Sequence, residues 1–346
     1  MPFVDIARKK LLAQAGSSYY LLSEESHATL ERCLLQSLAS LCSETMGLKF
    51  LVFRTYKQPK LTHRLAQLQA SNSRQHYSSF IRDMLAGGLL NFFQEYSVLA
   101  RLVATVTDFL VNTNSEFLQR LASDWSNIQT TFQGDAELGQ VIAIDSNLSD
   151  FHQNGRSVIG VTFASGLKVI YKPKDLGSEE AYFQLLTWLN EQQVPLQFKL
   201  LKVFNRSTYG WVEYIEYLSC EDKEAVQRYY QRSGMLLCLL YALEGTDCHS
   251  ENIIACGEYP VLIDMETIMS HQVREIGADG GDATASYLAT QQMMDSVMRI
   301  GFLPTWNLGP DGAVYDSSGL GGVEGQETNF RVRRWQHINT DNMALG

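Results

Sequence analysis

The chain has 346 residues, 45% of them hydrophobic, and its 28 Lys and Arg against 38 Asp and Glu give a formal charge of −10. That length predicts two or three compact units with ample core, and the composition excludes disorder, collagen-like repeats and a small disulfide scaffold. An acidic balance creates no general field for a polyanion, so no nucleic-acid partner is expected.

The longest strictly apolar run, Met235 to Leu243, is too short to cross a bilayer, and Met1 to Gly16 lacks the apolar stretch of a secretory signal. A cytoplasmic protein without a transmembrane segment is expected. Six cysteines, Cys33, Cys42, Cys220, Cys238, Cys248 and Cys256, are scattered without a Cys-x-x-Cys pair and read as reduced structural thiols. Cys248, His249 and Cys256 suggest a zinc site only weakly, because the close ligand spacing of such sites is missing.

In chain order, apolar residues first recur at helical spacing, as in Phe80, Met84, Leu85, Leu89 and again in Leu99, Leu102, Val103, Val106, Leu110. Asn112 to Ser115 reads as a break between two helices, with Asn114 or Ser115 capping the second. Near residue 140 the period changes to that of strands. Val141 to Ile144, Val158 to Phe163, a Ser165-Gly166 turn and Leu167 to Lys172 predict a sheet with a hairpin, closed by Pro173. Gly177 to Glu180 opens an amphipathic helix through Phe183, Leu186 and Leu189; strand texture resumes at Phe198 to Phe204 and Tyr209 to Tyr217. Glu224 to Leu243, apolar almost all round, predicts a buried helix that ends at Glu244-Gly245-Thr246-Asp247.

The candidate chemistry starts there. Ile253 to Cys256 and Val261 to Ile263, joined by a tight turn, bring Asn252 and Asp264 to the open end of one hairpin. An amide and a carboxylate are hard oxygen ligands suited to Mg²⁺ on nucleotide phosphates, and Asp247 is placed to accept a hydroxyl proton. Asp-x₄-Asn followed by Asp after a hydrophobic hairpin is the spacing of protein-kinase active sites, here without Phe-Gly after the second Asp. Lys172, at the end of its strand, suits a phosphate-pairing role, with Glu179 or Glu180 as its ion-pair partner and Glu213 to Tyr217 as a nucleotide-binding hinge. Taken singly, each residue also reads as a turn former or a solvated surface charge. Asp150 and His152, two apart on an extended segment, form either an oriented base pair or a polar turn, and Arg331 to Arg334 form an anion site or a solvated basic stretch.

From about Tyr77 to its end the chain resembles the dehydratase part of class II lanthipeptide synthetases, the LanM type. The resemblance rests on Glu95-Tyr96-Ser97-Val98-Leu99-Ala100-Arg101-Leu102, Asp150-x-His152 with Gly155-Arg156-Ser157-Val158, Tyr171-Lys172-Pro173-Lys174, Asp247-x-His249-x-x-Asn252, Asp264-x-Glu266, Ser318-Gly319-Leu320-Gly321-Gly322 and Arg334-x₅-Thr340. It implies an α+β, lipid-kinase-like bilobal fold: a helical region at 1–139, a small β-rich lobe at 140–217 and a helical lobe at 218–346. It also implies ATP- and Mg²⁺-dependent phosphorylation of Ser and Thr in a precursor peptide carrying a leader, then elimination of phosphate to dehydroalanine and dehydrobutyrine.

In that family Lys172, Asp247, His249, Asn252, Asp264 and Glu266 match the phosphorylation half, and Asp150, His152, Arg334 and Thr340 match the elimination half. Members are usually longer, so the expectation is a fragment or one half of a split enzyme, with a separate chain supplying the remaining synthetase and the cyclase. A non-catalytic peptide-binding remnant and a small-molecule kinase are the competing expectations.

Overall fold

The computed structural model describes residues 2–57, 73–146, 148–149, 154–269, 285–308, 312, 314–321 and 333–346. The backbone contacts divide the chain into two compact units: Met1–Gln129, Asp135–Leu167 and Arg331–Gly346 form the first, Thr130–Gly134 and Lys168–Phe330 the second. The three expected regions follow texture along the chain, whereas these units follow contacts and cut the chain elsewhere.

The first unit is built on α1 (Pro2–Ala15), α2 (Glu24–Lys57), α3 (Gln75–Asp83), α4 (Leu89–Glu95) and α5 (Ser97–Ile128). In α1, Val4, Ala7, Leu11 and Ala15 form the buried stripe that a 3.6-residue period dictates. Between α3 and α4 the chain kinks at Met84–Gly88, where Gly87 adopts φ +124°, a conformation open to a residue without a Cβ. Phe50, Phe80, Met84 and Phe92 pack together around this kink.

The predicted break at Asn112 to Ser115 is absent, because α5 runs straight through it. Thr113 Oγ1 donates to Phe109 O at 3.0 Å, so a side chain that could compete with the backbone is satisfied inside the helix instead. The same helix buries Phe117, Leu118, Leu121 and Ile128 completely.

Also in the first unit, β1 (Val141–Asp145) pairs antiparallel with β2 (Ile159–Phe163), Val141 standing opposite Phe163 and Asp145 opposite Gly160. The predicted turn follows: Phe163 N donates to Leu167 O and Gly166 N to Phe163 O, both at 2.9 Å. The last segment, with the short strands β10 (Trp335–Gln336) and β11 (Ala344–Leu345), belongs to this unit and docks on α2 and the start of α3. Asp341 Oδ1 accepts from Tyr77 N at 2.8 Å and its Oδ2 from Ser73 Oγ at 2.6 Å, while Arg54 Nη1 donates to Asp341 O at 2.5 Å.

In the second unit β3 (Lys168–Lys172), β5 (Gly210–Glu213) and β4 (Val203–Asn205) are antiparallel neighbours in that order. Residues 198–202 are not strand, contrary to expectation. Asn190, near the end of α6 (Gly177–Glu191), takes both backbone groups of Phe198, accepting its N–H at 2.8 Å and donating to its carbonyl at 2.9 Å.

The helix expected to be buried all round, α7 (Lys223–Ala242), buries one stripe: Ala225, Arg232, Ser233, Leu236 and Leu240. Arg232 occupies a core position because it is compensated, 2.9 Å from Glu258 Oε1 and 4.1 Å above the Tyr259 ring. The hairpin β6 (Ile253–Cys256) and β7 (Tyr259–Leu262) turns at Gly257-Glu258, with Gly257 at φ +59°. Beyond it lie α8 (Ala285–Met294), β8 (Asn307–Leu308) and β9 (Val314–Tyr315). The core of this unit gathers Leu176, Phe183, Leu236, Leu240, Ile253, Leu262, Met265 and Phe302 under the elements that carry the candidate site. The protein is thus mixed helix and sheet, consistent with the α+β expectation, and no helix among the described residues is long and apolar enough to cross a membrane.

Candidate active site

The site grows from the end of β3. Residues two apart on an extended chain share a face, which sends Lys172 and Lys174 to the same side across Pro173. Lys172 is 8% exposed; its Nζ donates to Ile263 O at 2.6 Å and lies 3.4 Å from Glu179 Oε1. Glu179, in the first turn of α6, is 2% exposed, and the same oxygen lies 3.4 Å from Lys174 Nζ. Of the two glutamates weighed as the partner of Lys172, the pair is made by Glu179, while Glu180 bonds Asn205 Nδ2 at 3.1 Å.

Asp264 and Glu266 follow β7 and meet Lys174, whose ammonium lies 2.9 Å from Asp264 Oδ1 and 2.8 Å from Glu266 Oε1. Burial works against charge on both lysines, with different outcomes. For Lys172 it prevails over the attraction of Glu179, and the pKa falls. For Lys174 the carboxylates of Glu179, Glu266 and Asp264 prevail over burial and push it up to about 12. Asp264 is also partly desolvated, yet Lys174 and Lys172 hold its carboxyl below the ordinary carboxylate range.

Asp247, His249 and Asn252 lie on the turn between α7 and β6. Asp247 adopts φ +60°, a left-handed conformation that an Asp tolerates better than most residues. His249 Nδ1 accepts from Glu251 N at 3.2 Å, which leaves the ring proton on Nε2, 3.5 Å from Asp247 Oδ1. Asn252 Nδ2 donates to Asp247 O at 2.8 Å and is 3.4 Å from His249 Nε2. With the amide nitrogen committed, the amide oxygen is the atom able to meet a cation. Asn252 O accepts from Ile263 N at 3.0 Å, which places Asn252 opposite Ile263 and one residue from Asp264 in the register.

A glycine-bearing segment braces this turn. Cys248 N donates to Ile300 O, Ser250 N to Ser317 O and Gly319 N to Gly301 O at 2.8, 2.9 and 3.0 Å. A Cβ at Gly319 would lie 2.6 Å from Cys248 O and 2.4 Å from the Phe302 ring, so only glycine allows this approach.

The donor set fits a hard divalent cation. It offers an amide oxygen and carboxylates, and a protein cation, the Lys174 ammonium, already stands between Asp264 and Glu266. Among the described residues no three His, Cys, Asp or Glu side chains are arranged to hold a metal unaided. The oxygen donor set suits Mg²⁺, which needs one or two protein carboxylates when phosphate oxygens complete its shell. It does not suit the zinc reading of Cys248, His249 and Cys256. All six cysteines are free thiols, and burial, with Asp247 and Asp264 nearby, pushes Cys248 up to about 12.

None of the remaining candidates belongs to the described part of the second unit. Asp150 and His152 fall outside the described residues, as do Arg331 and Val332. Arg334 and Thr340 belong to the first unit. Arg334 is exposed and exchanges backbone bonds with Gly346, its N to Gly346 O at 2.9 Å. Thr340 Oγ1 donates to His337 O at 2.7 Å and accepts from Asn342 N at 3.2 Å, fixing the turn next to Asp341. Lys174, which contacts Asp264, Glu266 and Glu179, was not among the candidates read from the sequence, although Tyr171-Lys172-Pro173-Lys174 carried its signal in the two-residue spacing.

Residues 96–346 match the model of the DUF4135 family, described as a domain of unknown function. Over 190 residues, 51% of this chain, the sequence is 34% identical to a protein of Lactococcus lactis subsp. lactis named the lacticin 481/lactococcin biosynthesis protein LcnDR2. The matched stretch is 20% of that relative, so the chain spans well under two thirds of the curated relative's length. A family match over more than half of the chain, with every described candidate residue inside it, settles the affiliation: the chain belongs to the DUF4135 family, and its likeness to a lacticin 481/lactococcin biosynthesis protein supports a class II lanthipeptide synthetase-type protein.

Proposed function

We propose that the chain supplies the dehydratase chemistry of lanthipeptide biosynthesis. Serine and threonine hydroxyls of a leader-bearing precursor peptide are phosphorylated at the expense of ATP, and the phosphate is then eliminated to leave dehydroalanine or dehydrobutyrine. A lipid-kinase-like, two-lobed arrangement beside a helical region is part of this reading. The observation that carries it is the cluster of Lys172, Glu179, Asp264 and Glu266 beside the Asp247-His249-Asn252 turn, in a chain similar to a lantibiotic biosynthesis protein.

The logic is that of a poor leaving group. Hydroxide does not depart from a serine side chain, so the oxygen must first become a phosphate ester. Asn252 and Asp264 are the residues that would hold Mg²⁺, and the ion, when bound with the nucleotide, supplies positive charge to the phosphoryl oxygens. Asp247 takes the hydroxyl proton as the oxygen attacks; His249, 3.5 Å from its Oδ1, orients that carboxylate. Lys172, fixed by Ile263 O and Glu179, offsets phosphate charge. In the second step the bond from the α-carbon to hydrogen and the bond from the β-carbon to oxygen break, a carbon–carbon double bond forms, and inorganic phosphate leaves. His152, oriented by Asp150, serves the proton-transfer side, and Arg334 and Thr340 serve the departing phosphate.

The test is to incubate the protein with ATP, Mg²⁺ and a Ser/Thr-rich precursor peptide and to weigh the peptide. Loss of one water per modified residue is expected, and His152→Ala should accumulate phosphopeptide. An unphosphorylated peptide from His152→Ala contradicts the assignment of His152 to elimination. Native protein that phosphorylates without eliminating supports only the first half, and an unchanged peptide contradicts the whole reading. Other partners, including a separate chain that supplies the cyclase, belong to the same proposal.

A further inference from the structure

Lys174 makes more charged contacts than a phosphate-binding or solvated lysine requires. Its ammonium touches Asp264 Oδ1 at 2.9 Å and Glu266 Oε1 at 2.8 Å, and stands 3.4 Å from Glu179 Oε1. Lys172, two residues earlier, is spent elsewhere: its ammonium faces Ile263 O and Glu179. The cluster therefore has a division of labour, one lysine fixed against the buried glutamate and the other lying on Glu266 and on Asp264, the carboxylate that would receive a metal ion. Lys174 is also the more exposed of the two, its side chain 28% accessible against 10% for Lys172, so it has room to move while Lys172 has little.

We propose that Lys174 is an internal counter-cation of the metal site, which holds Asp264 and Glu266 in the empty enzyme and yields Asp264 to the divalent ion only when nucleotide arrives. The inference rests on the reading of the site as one for a metal–nucleotide. Its reasoning is electrostatic. An ammonium and a dication cannot both lie at bonding distance from Asp264 Oδ1, because like charges so close repel strongly in a partly desolvated site. A metal ion alone must displace Lys174 without giving its ammonium a new partner. A metal ion arriving with a polyphosphate brings anionic oxygens to which that ammonium can transfer. Metal and nucleotide binding are thereby coupled, and the lysine penalises metal in the absence of nucleotide. The advantage is a site that keeps its carboxylates ordered and compensated between turnovers.

The experiment measures Mn²⁺ binding, by electron paramagnetic resonance titration of free ion, to the native protein, Lys174→Met and Lys174→Arg, each with and without a non-hydrolysable ATP analogue. The expected result is that Lys174→Met binds Mn²⁺ alone about tenfold tighter than native, that the analogue improves Mn²⁺ binding less in this variant, and that Lys174→Arg behaves like native. Should Lys174→Met melt at a lower temperature, Mn²⁺ without nucleotide should raise that temperature more than it raises the native one. Unchanged or weaker Mn²⁺ binding by a folded Lys174→Met overturns the inference while leaving the metal–nucleotide reading intact. Failure of native protein to bind Mn²⁺ even with the analogue overturns both.

Discussion

Two carboxylates, one in each compact unit, are held in opposite ways. Asp264 is held by charge, its neighbours being the ammonium groups of Lys174 and Lys172. Asp341 is held mainly by neutral donors, the Ser73 hydroxyl and the Tyr77 amide at the start of α3. A carboxylate that faces a partly exposed ammonium, as Asp264 faces Lys174, can exchange it for a metal or lose it to a phosphate. One that caps a helix from a distant segment cannot exchange anything, and it fixes where that segment, with Arg334 and Thr340, lies on the first unit.

Breaking the charged arrangement should have the largest effect. Glu179→Gln removes the carboxylate shared by both lysines and leaves Lys172 buried without its anion, at a cost of about 3–5 kcal/mol. Denaturant unfolding checks this, and an unchanged midpoint would show that Glu179 carries no such weight. Asp341→Asn should cost less, about 1–3 kcal/mol, because the amide still accepts a bond while one donor loses its charged acceptor.

The pH dependence of that second variant sharpens the contrast. Burial opposes ionisation of Asp341, but the Ser73 hydroxyl, the Tyr77 amide and His76 hold its carboxyl below the usual range. A depressed carboxyl contributes stability that is fully present above its unfolded pKa and is lost as pH falls through the folded value. The native advantage over Asp341→Asn should therefore be constant near neutrality and shrink below about pH 4. A gap that persists undiminished to the lowest measurable pH contradicts the assignment. The smallest effect is expected at the exposed pair of Lys10 and Asp108, both about half accessible, where Lys10→Ala should change stability by roughly 0–1 kcal/mol in thermal melts.

Much of this was legible in the sequence, and the misses have physical causes. The change of period near residue 140 located the passage from α5 to β1, and the apolar runs at Ile253 to Cys256 and Val261 to Ile263 located the hairpin, because periodicity is a local signal. The stretch at Asn112 to Thr113 misled because a threonine can satisfy itself within a helix, and Phe198 misled because a single amide, Asn190, displaced ladder bonds. The burial of α7 was overestimated because Val226, Tyr230 and Tyr241 stand exposed on it, while the charged Arg232 is buried against Glu258 and Tyr259.

In the site, spacing pointed to Asn252 and Asp264 and to Lys172. It could not show that Lys174 meets Asp264 and Glu266, since those contacts join segments about 90 residues apart in the chain. The anchoring of Asp341 on Ser73 and Tyr77 is more remote still.

In the proposed reaction Asp247 takes the proton of a peptide alcohol as that oxygen receives phosphate from ATP beside Asp264. Following γ-labelled ATP through a reaction with precursor peptide tests it most directly. The label should pass onto the peptide and emerge as inorganic phosphate as the peptide loses water, with transfer slowed about 10²–10⁴-fold in Asp247→Asn. Label released at the native rate by Asp247→Asn, or released without ever modifying the peptide, would contradict it.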